Sequence, residues 1–475
     1  MNPTLNIISF LGIFALCAIA WLGSEDRYLI PWKTIAWGIG LQLVLGAIVF
    51  VFGSQVVEGI NSLLNAVLDA SEAGSRFLFG NWIVPQPGAV VGPGPAVRWI
   101  ARTLGDPYVA IPGDRVGGDN FNAGYILAFR ALPQVVFFSA LVSLMYRLHI
   151  IQPVVQLFAR VFQRTMHISG AESLSGAANI FVGIESAIAV KPFLLGMTRS
   201  ELCAILTSCF GSIASSVLGL YAGILRPTFP SITGHLVSAS LMTIPACFVI
   251  SKLLVPEIEE PETMGEVPED VEEELEEQPS PMDSLIVGAL DGVKMAVGIA
   301  AVLIAILGVV KLFDMTLATL SSGIVSFAGA EAQPESLLLQ FFDNTLGNIM
   351  GMLFLPLTFL TGVSLDWNEL WNASALIGRR LFETSIPPYQ ALAQIKAAGE
   401  ISDRAMLIVS YVLCGFAHLA SYGIFIGGLA SLIPERRGEV SSLGFKALWG
   451  ATLATLMTGC VAGLFDFGQT AVLGQ

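Results

Sequence analysis

Apolar residues occur in long runs along most of this 475-residue chain, and polar residues gather between the runs. A helix that crosses a membrane needs about 20 consecutive apolar residues. Stretches of this kind predict eight transmembrane helices. They are Leu5–Leu22, Thr34–Phe52, Ala123–Met145, Leu202–Leu225, Leu236–Leu254, Leu285–Leu312, Met406–Leu432 and Leu443–Leu464.

Two further segments are apolar but interrupted by glycine, serine and proline. Ile168–Leu195 and Trp367–Ala398 are each followed by a short polar turn and then by a long helix with a small, polar centre, Gly211–Ser216 in one case and Gly415–Ser421 in the other. In the predicted topology one copy enters the membrane from the inside and the other from the outside. The pattern therefore predicts an inverted repeat, and paired interrupted segments are typical of a transporter's midplane binding site.

Composition supports an all-α polytopic membrane protein. The chain is 54% hydrophobic and 13% charged, and its mean hydropathy is +0.73, whereas soluble domains carry about 25% charged residues. The six cysteines lie in apolar segments without metal-ligand spacing, and the usual catalytic motifs are missing from the sequence. We predict a protein that is not an enzyme, contacts membrane lipid and does not bind nucleic acid.

Charge is concentrated in loops. Pro256–Asp283 holds thirteen acidic residues without a lysine or arginine, which predicts a solvated linker, either a spacer or a regulatory and partner-binding segment. Gly80–Gly124 is rich in glycine and proline and predicts an exposed loop. Basic residues follow the first and third helices and precede the last, so these loops are expected in the cytoplasm with both termini outside.

Several stretches resemble the concentrative nucleoside transporter family. They are SGAESLSGAANIFVG (169–183), KPFLLGMTRSEL (191–202), SSVLGLYAGIL (215–225), CGFAHLASYGIFIGG (414–428) and PERR (434–437). The resemblance implies a homotrimer in the plasma (inner) membrane, with eight transmembrane helices and two opposed re-entrant hairpins per protomer. It also implies an elevator-type transport domain moving against a scaffold domain, and uptake of nucleosides coupled to Na⁺ or H⁺, with no organic cofactor.

On this basis the chain divides into seven parts. These are 1–80, N-terminal transmembrane helices and an outer helix; 81–125, an extracellular or periplasmic loop; 126–167, the third helix and an interfacial helix; 168–255, the first hairpin repeat of the transport domain; 256–283, the acidic cytoplasmic linker; 284–366, a scaffold helix with connecting segments; and 367–475, the second hairpin repeat of the transport domain.

The resemblance also implies a cation site. Its ligands would be the side chain of Asn179, the carbonyl of Val182, the hydroxyl of Ser212 and a contact at Ser216. Oxygen ligands suit a hard cation, and a helix break supplies carbonyls that lack intrahelical partners. The alternative is ordinary helix packing by small polar residues.

The implied substrate contacts depart from the family pattern in part. They are Ile184, Glu185, Ser385, Phe416, His418 and Ser421. Ile184 stands where the family has an amide, Ser385 replaces a glutamate that binds ribose hydroxyls, and His418 replaces an asparagine. Glu185 alternatively pairs with Lys191, and His418 is alternatively a packing residue or a proton carrier.

Three functions remain open from the sequence. The first is cation-coupled nucleoside transport, and the second is the same mechanism with another small polar metabolite, favoured by the changed substrate positions. The third is a membrane sensor without transport. The Asn179 and Ser212 cation set argues against a sensor, because a sensor needs no coupling ion.

Overall fold

A computed structural model describes residues 3–50, 54–81, 83–84, 126–268, 280–327 and 345–468, and within these ranges the regular structure is helical. Two short 3₁₀ helices cover Ile184–Phe193 and Pro434–Arg436. The α-helices are α1 Pro3–Leu22, α2 Trp32–Phe50, α3 Ser54–Phe79, α4 Leu127–Arg147, α5 Gln152–Met166, α6 Gly170–Ala178, α7 Arg199–Gly211, α8 Ser215–Leu225, α9 Ile232–Leu254, α10 Pro281–Phe327, α11 Thr345–Leu360, α12 Trp367–Glu383, α13 Ile386–Ala397, α14 Asp403–Leu413, α15 Leu419–Leu432 and α16 Arg437–Phe465.

Six of these helices, α1, α2, α4, α9, α10 and α16, are long and apolar enough to cross a membrane. Each corresponds to one of the eight predicted helices. The remaining two predicted helices are broken: 202–225 becomes α7 and α8, and 406–432 becomes α14 and α15. The breaks fall at the small, polar centres seen in the sequence, where Ser212 has an extended backbone and His418 is the N-cap of α15.

The two interrupted segments form helical hairpins. In hairpin 1, α6 packs against the 3₁₀ helix, and in hairpin 2, α12 packs against α13. Ser169 and Glu172 form a capping box at the start of α6, and Asp366 caps α12. These caps satisfy backbone N–H groups at each entry, which fixes where both hairpins begin.

Ion pairs near the helix ends place the two hairpins at opposite ends of the molecule. Near the base of hairpin 1, Glu25 pairs with Arg199 at 2.8 Å and with Lys446 at 2.5 Å. Near the base of hairpin 2, Arg404 pairs with Asp466 at 3.2 Å. Helices α7 and α14 therefore start from opposite ends, as an inverted repeat requires. Arg199 and Lys446, from two of the predicted basic regions, both pair with Glu25 and so lie at the same end.

The helices form an inner and an outer layer. Helix α9 belongs to the inner layer, because 89% of the residues in its apolar stretch are buried inside the protein. Helix α10 belongs to the outer layer, because only 11% of its apolar stretch is buried. Helix α10 lies against α4 through Gly288 and Gly292: an added side-chain carbon would lie 2.6 Å from Ser143 Cβ at the first position and 2.7 Å from Val136 Cα at the second. Small residues four apart allow this close helix contact, and the exposed apolar face of α10 suits lipid or another protein surface.

The acidic segment differs from the prediction in its first half. Residues 256–268 are folded onto hairpin 1: Gly170 N donates to Thr263 O at 2.9 Å, and Ala171 N donates to Thr263 Oγ1 at 3.0 Å. Thr263 thereby satisfies the first N–H groups of α6, which the sequence could not reveal. Residues 269–279 and nearly all of the predicted 81–125 loop lie outside the described ranges.

Candidate substrate and cation sites

A cavity of about 400 Å³ lies where both hairpin tips and both helix breaks meet α10. Gly183 contributes the tip of hairpin 1, Thr384 the tip of hairpin 2, Ala214 the first break and Phe416 the second break. Apolar residues of α10, including Ile299, form the facing wall. The volume suits a small metabolite, since ligand pockets in proteins typically measure about 300–1,000 Å³.

The described wall of this cavity is largely apolar. Phe416 and Phe425 lie with ring centroids 6.0 Å apart and supply a broad aromatic surface. The polar side chains among the described lining residues are Tyr221, Thr384, His418 and Ser421. An apolar pocket with a few directed polar groups is the usual form of a small-molecule site, because the apolar wall provides affinity and the polar groups provide specificity.

His418 and Ser421 form a local unit within this wall. His418 Nδ1 accepts from Ser421 N at 3.2 Å and lies 2.9 Å from Ser421 Oγ. Both residues are buried and line the cavity. His418 thus caps α15 and also faces the candidate site, so the packing role and the substrate-contact role considered from the sequence are compatible. The role of both residues in substrate binding stays a prediction.

The side-chain hydroxyl of Ser385 already has a hydrogen-bond partner within the protein. Its hydroxyl donates to the carbonyl of Gly415 at 3.0 Å and is fully buried. Ser385 is not among the described lining residues of the cavity, and it ties the tip of hairpin 2 to the second break. Its neighbour Thr384 lines the cavity instead, although the sequence gives no signal that would have selected a threonine here.

Hairpin 1 presents its backbone to the cavity. Gly183 lines the cavity directly before the 3₁₀ helix that carries Ile184 and Glu185. The side chains of Ile184 and Glu185 lie outside the described part of the structure, so their predicted contacts with substrate, and the alternative pairing with Lys191, stay predictions.

Beside the cavity, oxygen atoms converge around Asn179. One terminal atom of its amide lies 2.8 Å from the carbonyl oxygen of Gly183 and 3.2 Å from that of Val182. With its nitrogen turned towards them, the amide donates to both carbonyls. With its oxygen turned towards them, three acceptor oxygens face one another, an arrangement that a hard cation stabilises.

Ser212 adds a hydroxyl to the same region. Its Oγ is buried and has no hydrogen-bond partner among the described residues. The first break lies against hairpin 1, because Ser215 N donates to Phe181 O at 3.0 Å and Asn179 Nδ2 lies 3.5 Å from Cys209 Sγ. A buried hydroxyl without a hydrogen-bond partner is uncommon, so this oxygen is a candidate ligand atom for the cation. The side chain of Ser216 lies outside the described part.

Two charged groups inside the molecule were not singled out for function by the sequence. Arg380 is fully buried and donates to Thr455 Oγ1 at 3.1 Å and to the carbonyl of Val412, at the end of α14. Near the other end, Lys252 pairs with Glu172 at 2.6 Å and with Glu257 at 3.0 Å. Arg380 thus holds the end of α14 against hairpin 2, and Lys252 links hairpin 1 to the segment that follows α9. A charged residue in the sequence does not by itself reveal such contacts.

Among the described residues, three or more His, Cys, Asp or Glu side chains nowhere group together as metal ligands. The candidate cation site instead uses amide, carbonyl and hydroxyl oxygens. These neutral ligands suit a monovalent cation that must be released again, because a charged cage would hold it more tightly.

Opposed hairpins, two broken helices and a shared central cavity define a polytopic membrane transporter, and the comparisons assign its family. Family models match residues 11–82 (Na⁺ dependent nucleoside transporter N-terminus), 128–228 (Nucleoside recognition) and 235–463 (Na⁺ dependent nucleoside transporter C-terminus). The chain belongs to the concentrative nucleoside transporter family, and the resemblance seen in the sequence is confirmed.

Relatives match nearly the whole chain. An uncharacterized transporter of Haemophilus influenzae is 32% identical, covering 96% of this chain and 97% of its own length. Sodium/nucleoside cotransporter 1 of Mus musculus is 31% identical, covering 97% of this chain, which spans 64% of that longer protein. The transporter CNTnw, solved in an inward-facing substrate-bound state, is 30% identical with a TM-score of 0.78, covering 97% of this chain and 98% of that one.

A second structure of CNTnw, a doubly substituted form in an outward-facing state, has a TM-score of 0.80 at 30% identity and covers 98% of this chain and 99% of that chain. The fold is therefore shared with a protein solved in both inward-facing and outward-facing states. The mainly helical fold class and the membrane-transporter class are confirmed at this level.

Proposed function

We propose that this protein takes up nucleosides together with Na⁺ by an elevator-type alternating-access mechanism. The observation that carries the proposal is the position of Gly183, which belongs to both candidate sites. Its carbonyl faces the Asn179 amide at 2.8 Å, and the same residue lines the central cavity. A cation bound at Asn179 therefore acts directly on one wall of the substrate cavity.

The proposed coupling follows from the two orientations of the Asn179 amide. Without a cation, its nitrogen satisfies the carbonyls of Val182 and Gly183. With Na⁺ present, the amide oxygen, the two carbonyls and Ser212 Oγ become ligands, which fixes the backbone at the tip of hairpin 1. A cation that stabilises the substrate-binding form of this tip raises substrate affinity, and by linkage the substrate raises cation affinity equally.

The elevator movement is supported by the distribution of polar groups around the cavity. The described polar side chains come from the tip of hairpin 2, from α8 and from the second break with the start of α15, whereas α10 contributes apolar residues and Gly298. A polar site can slide past such a smooth wall without breaking specific bonds. We assign 168–255 and 367–475 to the moving transport domain and α10 to the scaffold, within a homotrimer of eight-helix protomers with re-entrant hairpins.

The test is uptake of radiolabelled uridine and adenosine into proteoliposomes, with an inward Na⁺ gradient, an inward K⁺ gradient or a proton gradient. We expect Na⁺-dependent uptake that Glu185→Gln abolishes. Glu435→Gln, a substitution at an exposed position near the basic end, is the matched control and keeps uptake. Uptake driven only by the proton gradient would replace Na⁺ by H⁺ in the proposal, and absence of nucleoside uptake in the wild type would overturn the substrate assignment.

A second candidate keeps the mechanism and changes the cargo. The described wall offers three hydroxyls and one imidazole but neither a carboxylate nor an amide side chain. This set suits other small polar metabolites as well as nucleosides. It is favoured if Na⁺ stabilises the purified protein against heat while uridine and adenosine neither stabilise it further nor enter proteoliposomes.

A further inference from the structure

Thr384, at the tip of hairpin 2, has a backbone conformation that threonine rarely adopts. Its φ is 70° and its ψ is 179°. This region is essentially restricted to glycine, and a β-branched side chain makes it still less favourable. Of the described non-glycine residues with positive φ, the other two are His149 and His167, which lie in turns near the ends of α4 and α5.

The side chain of Thr384 is equally unusual. The residue is 6% exposed, and its Oγ1 is buried with no hydrogen-bond partner among the residues that the structure describes. Buried hydroxyls nearly always have a partner, because leaving one unpaired loses the hydrogen bonds that water supplied. Thr384 lines the central cavity, so a molecule within the cavity is positioned to supply the missing partner.

The neighbouring residues hold this conformation in place. Ser385 Oγ donates to Gly415 O at 3.0 Å, and Tyr389 N donates to Ser385 O at 3.0 Å. Tyr389 Oη donates further to Ser410 O at 2.7 Å.

On the other side of Thr384, Arg379 and Glu383 form an ion pair at 2.8 Å. An unfavourable backbone persists where its surroundings fix it, and such positions concentrate at ligand-binding sites.

From these observations we propose that the Thr384 hydroxyl is a specificity-determining contact that hydrogen-bonds a neutral polar group of the substrate, a hydroxyl in the case of a nucleoside. The inference rests on the proposed function of the cavity. It assigns to hairpin 2 a substrate contact next to Ser385, whose own hydroxyl is taken by Gly415. It also explains why threonine occupies a position where glycine would be relaxed: the hydroxyl is needed there.

The test uses two substitutions of opposite chemistry. Thr384→Val keeps the branched shape and removes the hydroxyl, whereas Thr384→Ser keeps the hydroxyl and removes the methyl group. We expect Thr384→Val to raise the KM for uridine about five- to tenfold, as loss of one neutral hydrogen bond does, and Thr384→Ser to stay within about twofold of the wild type. The Na⁺-induced rise in melting temperature should be unchanged in both variants, because the cation site is intact.

The melting temperature of the ligand-free protein is a second measurement. If the Thr384 hydroxyl had a structural role, its removal would lower this temperature. Since the hydroxyl has no partner among the described residues, the Thr384→Val protein should melt at the same temperature as the wild type or higher. A clear fall in melting temperature, or a wild-type KM for uridine, overturns the proposal. If the wild type does not transport uridine, the proposed function fails. The ligand-free melting temperatures then still decide whether the hydroxyl is available to another substrate.

Discussion

A side-chain carbon added to Gly415 would lie 2.6 Å from the carbonyl oxygen of Gly211. Gly211 ends α7, the first broken helix, and Gly415 lies in the break between α14 and α15. The two inverted halves of the protein therefore cross at a backbone-to-backbone contact that only glycine permits at the second position. This crossing brings both breaks to the central cavity and to the neighbouring candidate cation site.

Replacing Gly415 should accordingly damage the whole site. We expect Gly415→Ala to lower stability by about 1–3 kcal/mol, the usual cost of overpacking, and to abolish Na⁺-dependent uptake. Thermal unfolding in detergent and proteoliposome uptake measure the two effects. Gly427→Ala in α15 is the matched control, since an added carbon there meets nothing within 4 Å. Equal behaviour of the two variants would show that the crossing tolerates a side chain.

The proposed cation site can be tested at Ser212, whose Oγ has no partner among the described residues. Ser212→Ala should leave the melting temperature in Na⁺-free buffer unchanged and reduce the stabilisation that Na⁺ provides. The stabilisation by a ligand grows with the ratio of its concentration to its Kd, so the midpoint of the Na⁺ titration should shift to higher concentration by about tenfold. Thermal melts across a Na⁺ series, with K⁺ keeping ionic strength constant, measure the shift.

The control for this experiment is Ser431→Ala. Ser431 lies exposed on α15 and donates to Gly428 O within its own helix. Its loss should change neither the Na⁺ midpoint nor the melting temperature appreciably. A Ser212→Ala protein that melts lower without Na⁺ and keeps the wild-type Na⁺ midpoint would instead assign Ser212 a packing role.

The sequence predicted the membrane class, the positions of the helices and the paired interrupted segments. It succeeded because membrane crossing requires long apolar runs, and because glycine, serine and proline mark the places where such runs break. The breaks at Ser212 and His418 fall inside the predicted polar centres for this reason. Local composition was sufficient for these features.

The details of the site depended on contacts between distant parts of the chain. The sequence could not show that the Ser385 hydroxyl would donate a hydrogen bond to the carbonyl of Gly415. It also could not show that Thr384 would line the cavity with a strained backbone. It also could not show that Thr263, in an acidic segment predicted to be solvated, would dock on the first residues of α6. Each of these outcomes depends on the tertiary arrangement, which local propensities do not encode.

Glu25, in the loop between α1 and α2, makes the stability of the basic end depend on pH. Hydrogen bonding to Arg199, assisted by Lys446, lowers the pKa of this carboxyl from 4.5 to about 2. The ionised carboxylate is favoured in the folded protein, so its stabilisation is complete above pH 4.5 and is lost as the pH falls towards 2. The pair is about one-third exposed, so water screens it and we expect about 1 kcal/mol or less.

We therefore expect Glu25→Gln to melt slightly below the wild type at pH 7, with the difference shrinking between pH 4.5 and pH 2. Melting curves in detergent across this range measure the change. Glu435→Gln, at an exposed position of the same end, serves as the control and should track the wild type throughout. A Glu25→Gln difference that is constant with pH would show that shape, and not charge, matters at this position.

Arg436 connects the base of hairpin 1 to the last helix. Its guanidinium donates to the carbonyls of Leu195 and Met197, in the turn before α7, and pairs with Glu439 at 2.6 Å. These carbonyls end the second arm of the hairpin and need a donor. Arg436→Gln should lower the melting temperature by several degrees and reduce uptake, because the hairpin base is no longer fixed to α16.

The neighbouring Arg437 is the matched control, since it has the same charge and lies exposed at the start of α16. Arg437→Gln should change the melting temperature by at most a degree or so. Limited proteolysis separates the two explanations of any loss: faster cleavage between Phe193 and Arg199 in Arg436→Gln alone indicates a released hairpin base. Equal effects of both substitutions would mean that positive charge at this end matters, and the specific donation to the hairpin does not.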